Sequence, residues 1–226
     1  MIVEIWGDIV CPWCYIGERR FRRALGQAPY AGEVVIRHRS FQLDPSAPAV
    51  ASMPIVEMLA EKYGVSVAEA ERFERQAADA AAGEGLPFHT DRIRANTFDA
   101  HRLVHLASRT GREAELMDGL YAAYFARGLA ISDRDTLVAL AEEAGVDPAE
   151  ATRVLGSDAY AAEVIADQRQ AYSLGASAVP FFVIDRRYGI RGAQPIEAFE
   201  QTLQRAWEEA RPSPAPPEPS ASPAGR

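Results

Sequence analysis

MIVEIWGDIVCPWCYIGERRF, residues 1–21, sets a short apolar run directly before a Cys-x-x-Cys pair. Residues 2–6 read as a strand that starts almost at the first residue. Residues 7–10 are a connector, and a helix over 12–25 opens at the cysteine pair. Pro12 suits a first helical position, because its missing N–H would have had no partner there. The chain holds two cysteines, Cys11 and Cys14, and both lie in this motif. Such a pair has three readings: a redox dithiol, half of a metal site, or a buried structural disulfide.

The whole chain narrows these. Its 226 residues are 48% hydrophobic and 25% charged, an ordinary globular composition. A chain this long buries roughly 70% of the surface its unfolded form exposes, so it needs no covalent staple. Length permits one large domain or two small ones. The net charge is −8, and no clustered basic face predicts nucleic-acid binding. The densest basic patch, Arg19, Arg20, Arg22 and Arg23, reads as a solvated helix face. The N-terminus has no basic region, apolar core or cleavage site of an export signal. No window reaches ~18 apolar residues, so no membrane span is predicted. A cytoplasmic protein is the expectation, and there a disulfide is usually transient.

Further along, residues 33–39 alternate Val34, Ile36 and His38 against Val35, Arg37 and Arg39, a second strand by period. Asp44, Pro45, Pro48 and Ser52 mark a break. An alanine-rich helical block follows. Ser66 and Glu69 have the spacing of a capping box, and Gly83 and Gly85 stop that helix. More helices are predicted over 96–108, 113–126, 133–144, 148–155 and 158–173, with Ser132 and Asp147 as N-caps. Residues 180–185 then read as an apolar strand and 188–191 as its hairpin partner. Gln194-Pro195 opens a last helix with one apolar stripe, Ile196, Phe199, Leu203 and Trp207. The end, RPSPAPPEPSASPAGR, holds six of the fifteen prolines and too little apolar surface to order itself. It includes the polyproline-ligand spacing Pro214-x-x-Pro217, although a plain linker or solubilising tail is the first reading. The order is β-α-β, a helical block, then β-β-α. The two ends make one α/β unit, and the helical block is an insertion.

Chemistry follows from where Cys11 sits. Helix starts carry unpaired N–H groups and partial positive charge. Together with Cys-x-x-Cys spacing they lower a cysteine pKa from ~8.5 toward ~3.5–7.5, and the thiolate is the nucleophile. Cys14, one turn later on the same face, can close a disulfide with Cys11 or resolve a mixed disulfide on it. Pro12 and Trp13 between them set exposure and redox poise. The zinc reading needs four ligands. His101-x-x-x-His105 has a usable spacing, but it lies far beyond the ~12–15 residues that separate the ligand pairs of a finger. A second feature is Ser177-Ala178-Val179-Pro180-Phe181. An X-Pro bond there can be cis, which would expose the Val179 backbone to an extended substrate. The plain alternative is a trans proline that starts a strand.

MIVEIWGDIVCPWCYIGERRF together with SAVPFFVIDRRYGIRGAQP resembles the DsbA family of thioredoxin-fold oxidoreductases. More narrowly, it looks like the FrnE-type cytoplasmic branch, related to hydroxychromene-carboxylate isomerases and kappa-class glutathione transferases. The resemblance covers roughly residues 2–208, and Asn96-Thr97-Phe98-Asp99-Ala100-His101 looks like a family feature. It implies an α/β thioredoxin-like fold over residues 1–50 and 176–208 and a large all-helical insertion over 51–175, while composition makes residues 209–226 a disordered Pro-rich tail. It implies Cys11 as nucleophile, Cys14 as resolving cysteine and Pro180 as a cis-proline facing them. Val179, Pro12 and Trp13 would line the substrate groove. Asp8 lies near the site without an assigned role. The activity implied is thiol–disulfide exchange on protein or small-thiol substrates, without metal or tightly bound cofactor, and the groove between the lobes should take extended apolar peptide. Two other readings stand beside it. One is an isomerase or transferase with glutathione as co-substrate at Val179-Pro180, although such isomerases generally carry serine where Cys11 stands. The other is a non-catalytic chaperone-like or zinc-held protein. No sequence feature points to an oligomeric state.

Overall fold

In the computed structural model, which describes residues 1–50 and 53–210, the chain opens with strand β1 (Ile2–Gly7), helix α1 (Pro12–Gly26) and strand β2 (Val35–Ser40). Seven helices follow: α2 (Ile55–Tyr63), α3 (Val67–Gly83), α4 (Phe98–Arg109), α5 (Glu113–Tyr121), α6 (Arg134–Glu143), α7 (Pro148–Leu155) and α8 (Ala161–Ser173). The described chain closes with β3 (Phe181–Ile184), β4 (Tyr188–Arg191) and α9 (Ile196–Ala210). The four strands form one sheet in the order β2-β1-β3-β4. β1 runs parallel to β2 and antiparallel to β3, and β4 is the hairpin partner of β3. The sheet therefore joins residues from the two ends of the sequence, with α2 to α8 inserted between them.

Alternation along the strands decides what each face covers. Val3 and Ile5 of β1 and Phe182 and Ile184 of β3 pack on Phe21 and Leu25 of α1 and on Phe199 and Leu203 of α9. The stripe predicted for the last helix makes this core, and Trp207 stacks on Tyr30 at 4.4 Å between ring centres. Trp6, Phe181 and Val183 point the other way and join a second core with the inserted helices. Its centre is α4, where Ala100, Leu103, Leu106 and Ala107 are buried.

The insertion also covers a sheet edge. β2 has one free side, and an open edge offers unpaired N–H groups to other chains. The His38 N–H donates to the Glu113 carboxylate. The Ser40 N–H donates to Asp167 at 3.0 Å, and the Gln42 N–H to Gln168 at 3.2 Å. Three outward-facing donors are thus met by side chains of α5 and α8.

Several boundaries differ from expectation for local reasons. The second strand starts at Val35, because residues 31–33 form a 3-10 turn. Helix α4 starts at Phe98, and α5 ends at Tyr121 where the backbone switches to a π-helical turn over Ala122–Ala126. Asp133, not Ser132, caps α6, accepting from the Thr136 N–H. α8 starts at Ala161, since Tyr160 adopts a left-handed conformation at φ 63°. Helix α2 has no strong start signal in the sequence, and Gly64 at φ 64° ends it. The capping box of Ser66 and Glu69 is present in full. Glu209 and Ala210, expected in the tail, belong to α9, and Glu209 pairs with Arg205 and Arg187. Residues 211–226, with Pro214 and Pro217, lie outside the described residues.

Candidate active site

β1 delivers the chain to the site, and Asp8, Ile9 and Val10 carry it to Cys11 at the N-cap of α1. The Cys11 N–H donates to the Asp8 carbonyl at 3.1 Å, and the Cys11 carbonyl accepts from the N–H groups of Cys14 and Tyr15. Pro12 occupies the first turn, where no donor is missed. Cys11 and Cys14 are both unbridged and buried, while Trp13 between them is 38% exposed.

The second half of the site comes from the far end of the sequence. The Val179–Pro180 peptide bond is cis. The Cys11 thiol donates to the Val179 carbonyl, with Sγ 3.8 Å from the oxygen. Gly17 makes this approach possible. A Cβ there would lie 2.9 Å from Pro180 Cγ and 3.3 Å from Ala193 Cα, so only glycine lets α1 rest against that loop.

Cys14 lies deeper. Burial pushes its thiol well above the usual range, and its hydrogen bond with Cys11 acts in the same direction. A Cβ built on Gly7 would be 3.4 Å from Cys14 Sγ and 3.6 Å from the Tyr121 hydroxyl, which puts α5 against the resolving position. Burial raises the Tyr121 phenol as well, keeping it a neutral donor.

Asp8 is 1% exposed and His101 of α4 is 2% exposed. Asp8 Oδ2 accepts from the Leu43 N–H at 2.7 Å. Its Oδ1 has no hydrogen-bond partner, nor has His101 Nε2, and these two atoms face each other at 3.4 Å. The sequence singled out both residues, Asp8 without a role and His101 only as a candidate zinc ligand. Their pairing is tertiary: one sits on the connector before Cys11 and the other on the insertion.

A charged cluster ties the same helix to the insertion. His38 Nε2 lies 2.9 Å from Glu18 of α1, and its Nδ1 lies 2.8 Å from Glu113 of α5. Burial alone would raise the Glu18 pKa, but His38 and Arg22 overcome it and hold the carboxyl at about 2. Burial alone would lower that of His38, and the two carboxylates lift it to about 10. The arginines of α1 are consequently not the solvated face expected. Arg22 bonds Glu18 and reaches Asp118, Arg20 and Arg23 bond Glu84, and Arg20 also donates to the Ala193 carbonyl. Of the four, Arg19 alone is exposed without an ion pair among the described residues.

A cleft of about 390 Å³ opens beside the cysteine pair, with Val10, Cys11, Pro12 and Trp13 on one wall and residues of α2 and α3 on the other. Among the described residues no group of three or more His, Cys, Asp and Glu side chains is placed to hold a metal ion. The two histidines of the zinc reading face different carboxylates, His101 toward Asp8 and His105 toward Asp167.

The profile of the DSBA-like thioredoxin domain matches residues 2–204. A crystal structure of a probable DsbA oxidoreductase from Streptomyces coelicolor is 46% identical, covers 100% of this chain and 97% of its own, and superposes with a TM-score of 0.89. A 2-hydroxychromene-2-carboxylate isomerase is 14% identical over 93% of this chain and 98% of its own, with a TM-score of 0.68. The cytosolic disulfide reductase DsbM from Pseudomonas aeruginosa, in a structure with GSH, is 17% identical over 92% of this chain and 100% of its own, with a TM-score of 0.64. At these last two identities the likeness is one of fold.

Proposed function

Because this chain belongs to the DSBA-like thioredoxin domain family, we propose that it is a thiol–disulfide oxidoreductase whose Cys11–Cys14 dithiol exchanges disulfides with protein or small-thiol substrates. The observation that carries this reading is the position of Cys11: at a helix N-cap, beside the carbonyl of Val179, with Cys14 one turn behind.

In the reducing direction, the Cys11 thiolate attacks one sulfur of a substrate disulfide. The substrate S–S bond breaks, a mixed disulfide forms on Cys11, and the first substrate thiolate leaves and takes up a proton. Cys14 then gives up its proton, and its thiolate attacks the Cys11 sulfur. The Cys11–Cys14 disulfide forms and the second substrate thiolate leaves. The substrate gains two electrons and the protein dithiol loses them. Run backwards, the same steps oxidise a substrate dithiol. Two equivalents of a small thiol such as glutathione regenerate the reduced pair and form one disulfide. The difficult proton is that of Cys14, whose thiol burial pushes up, and the Asp8–His101 pair is the buried base we assign to it. Val179 and Pro180 would hold the substrate backbone, and Pro12 and Trp13 its flank. A reducing, cytoplasmic setting suits a dithiol used in this way.

The shared fold with an isomerase, and with a reductase whose structure contains GSH, supports a second reading, a glutathione-dependent isomerase or transferase. Activity of the single-cysteine variants separates the two. The dithiol reading expects Cys11→Ser to abolish disulfide exchange and Cys14→Ser to trap a mixed disulfide on Cys11. Saturable glutathione binding with full turnover in Cys14→Ser would favour the isomerase.

A further inference from the structure

The arginine run of α1 makes one contact that the dithiol chemistry does not use. Arg20 is half-buried, and its guanidinium is shared between two distant parts of the chain. Nε donates to Glu84 Oε1 and Nη1 to the Ala193 carbonyl, both at 2.7 Å. Glu84 is the C-cap of α3, the helix whose Phe73 and Ala77 line the cleft beside Cys11. Ala193 follows β4 and lies against Gly17, next to Pro180. One side chain therefore ties the end of α3 to the loop packed at the cis-proline.

That loop holds the segment before Pro180 at both ends. The Gly192 N–H donates to the Pro180 carbonyl at 2.8 Å, and Arg191 Nη2 donates to the Gly175 carbonyl at 3.1 Å. Between these bonds lies Val179, whose carbonyl accepts the Cys11 thiol. Gly192 turns the chain at φ 77°, a conformation glycine adopts freely, and the Gln194 N–H folds back on its carbonyl at 2.9 Å. Gly192 and Ala193 are half-buried and bring little side-chain bulk. Hydrogen bonds therefore carry the position of this loop, and the bond from Arg20 is the one that reaches it from α1.

Glu84 stands against its local preference, because a carboxylate at a helix C-terminus faces the negative end of the helix dipole. Burial would raise its pKa further, but bonds from Arg20 and Arg23 hold it below the usual carboxylate range. The two arginines meet Glu84 at similar distances, 2.7 and 2.6 Å. They differ in one respect: among the described residues Arg23 bonds Glu84 alone, whereas Arg20 continues to Ala193. A planar guanidinium donates in two fixed directions at once, which suits it to such a bridge.

We propose that Arg20 is a positioning residue for extended substrates. Held by Glu84, it fixes the Ala193 loop, and through that loop the Val179–Pro180 backbone beside which a substrate chain lies. Its effect falls on disulfides that present a peptide backbone to Val179. Small disulfides, which need only the Cys11 sulfur, are indifferent to it. This deepens the disulfide-exchange reading and rests on it.

The test compares the first attack by Cys11 on two disulfides, with the reduced full chain and acid-quenched samples read by mass. One is hydroxyethyl disulfide. The other is the disulfide-linked dimer of an end-blocked apolar pentapeptide with a central cysteine. Arg20→Met should slow the peptide disulfide about tenfold, the weight of one charge-assisted bond, and the small disulfide by about twofold or less. Arg23→Met also takes a cation from Glu84 but leaves Ala193 held, so the ratio of the two rates should keep its native value. Glu84→Ala should lower that ratio several-fold, and Arg20→Met/Glu84→Ala should lose no more than Arg20→Met alone, since both act through one contact. Equal slowing of both disulfides in Arg20→Met, the same fall in the ratio in Arg23→Met, or additive losses in the double variant would overturn the proposal. Native exchange with both disulfides and an unchanged ratio in Arg20→Met would overturn it alone. Native protein that exchanges with neither would overturn the dithiol reading and this proposal with it.

Discussion

Asp8 Oδ1 and His101 Nε2 face each other across 3.4 Å in the interior, and neither atom has a hydrogen-bond partner. The connector that carries Asp8 also accepts the Cys11 N–H. Asp8 is also among the groups that act on the Cys14 thiol, and the pair is the acceptor we propose for the proton that leaves it. Asp8→Asn keeps the shape and the acceptor for Leu43 but removes the base. It should slow resolution of the Cys11 mixed disulfide by about 100-fold, the low end for general base catalysis, and shift the pH profile of that step upward. The first attack by Cys11 should change little. Acid-quenched time courses read by mass separate the two steps, and equal rates in native and Asp8→Asn protein for both would remove Asp8 from the mechanism.

Gly17 is a second point of control. A methyl group there meets Pro180 at 2.9 Å and the backbone of Ala193 at 3.3 Å, and neither is the end of a flexible side chain. Gly17→Ala should destabilise the protein by about 1–3 kcal/mol through overpacking. It should also slow disulfide exchange more than a comparable loss of stability elsewhere does. Gly26→Ala is the control, because nothing lies near the position a Cβ would take there. Denaturant melts and exchange rates on both variants decide the matter.

The Glu18–His38 pair sets how stability depends on pH. Glu18 is held at about 2, below its ordinary 4.5. Its contribution is complete above that ordinary value and is lost as pH falls through the folded one. His38 is lifted from 6.5 to about 10, so its contribution is complete below 6.5 and is lost as pH rises through the folded value. The melting temperature should be highest between about 4.5 and 6.5 and fall on either side. His38→Ala takes one of two cations from the buried Glu18 and leaves Arg22, which should cost about 1–3 kcal/mol near neutral pH and flatten the alkaline limb. An unchanged alkaline limb in His38→Ala would show that other groups govern it.

The parts of this architecture that local chemistry specifies were readable from the sequence. The strand–CPWC–helix unit, the Phe181–Ile184 and Tyr188–Arg191 hairpin and the stripe of α9 each follow from periodicity, proline placement and turn residues close by. Asp147 and Ser66 cap their helices because the capping bond reaches only two or three residues along the chain. What the sequence hid is what the fold assembles from distant positions. Nothing near Asp8 predicts that His101 will face it, and nothing near Arg92 predicts Glu74 and three aromatic rings around it. Helix α2 lacked a side-chain cap at its start, so its presence depends on packing over the cleft. The arginine run of α1 looked solvated because its partners, Glu84 and Asp118, come from the insertion. Gly17 reads in sequence as an ordinary glycine inside a helix, and what requires it is Pro180, far along the chain.

The central claim is that Cys11 and Cys14 form one reversible redox unit, and equilibration in glutathione buffers of graded ratio tests it directly. After alkylation, mass should report both cysteines blocked at the reducing end and neither at the oxidising end. The two should be lost together in a single two-electron transition, positioned against the cytosolic glutathione poise of about −220 to −320 mV. Protein that keeps both cysteines alkylatable at every ratio, or that carries stable glutathione on Cys11 with Cys14 free, would contradict the dithiol account.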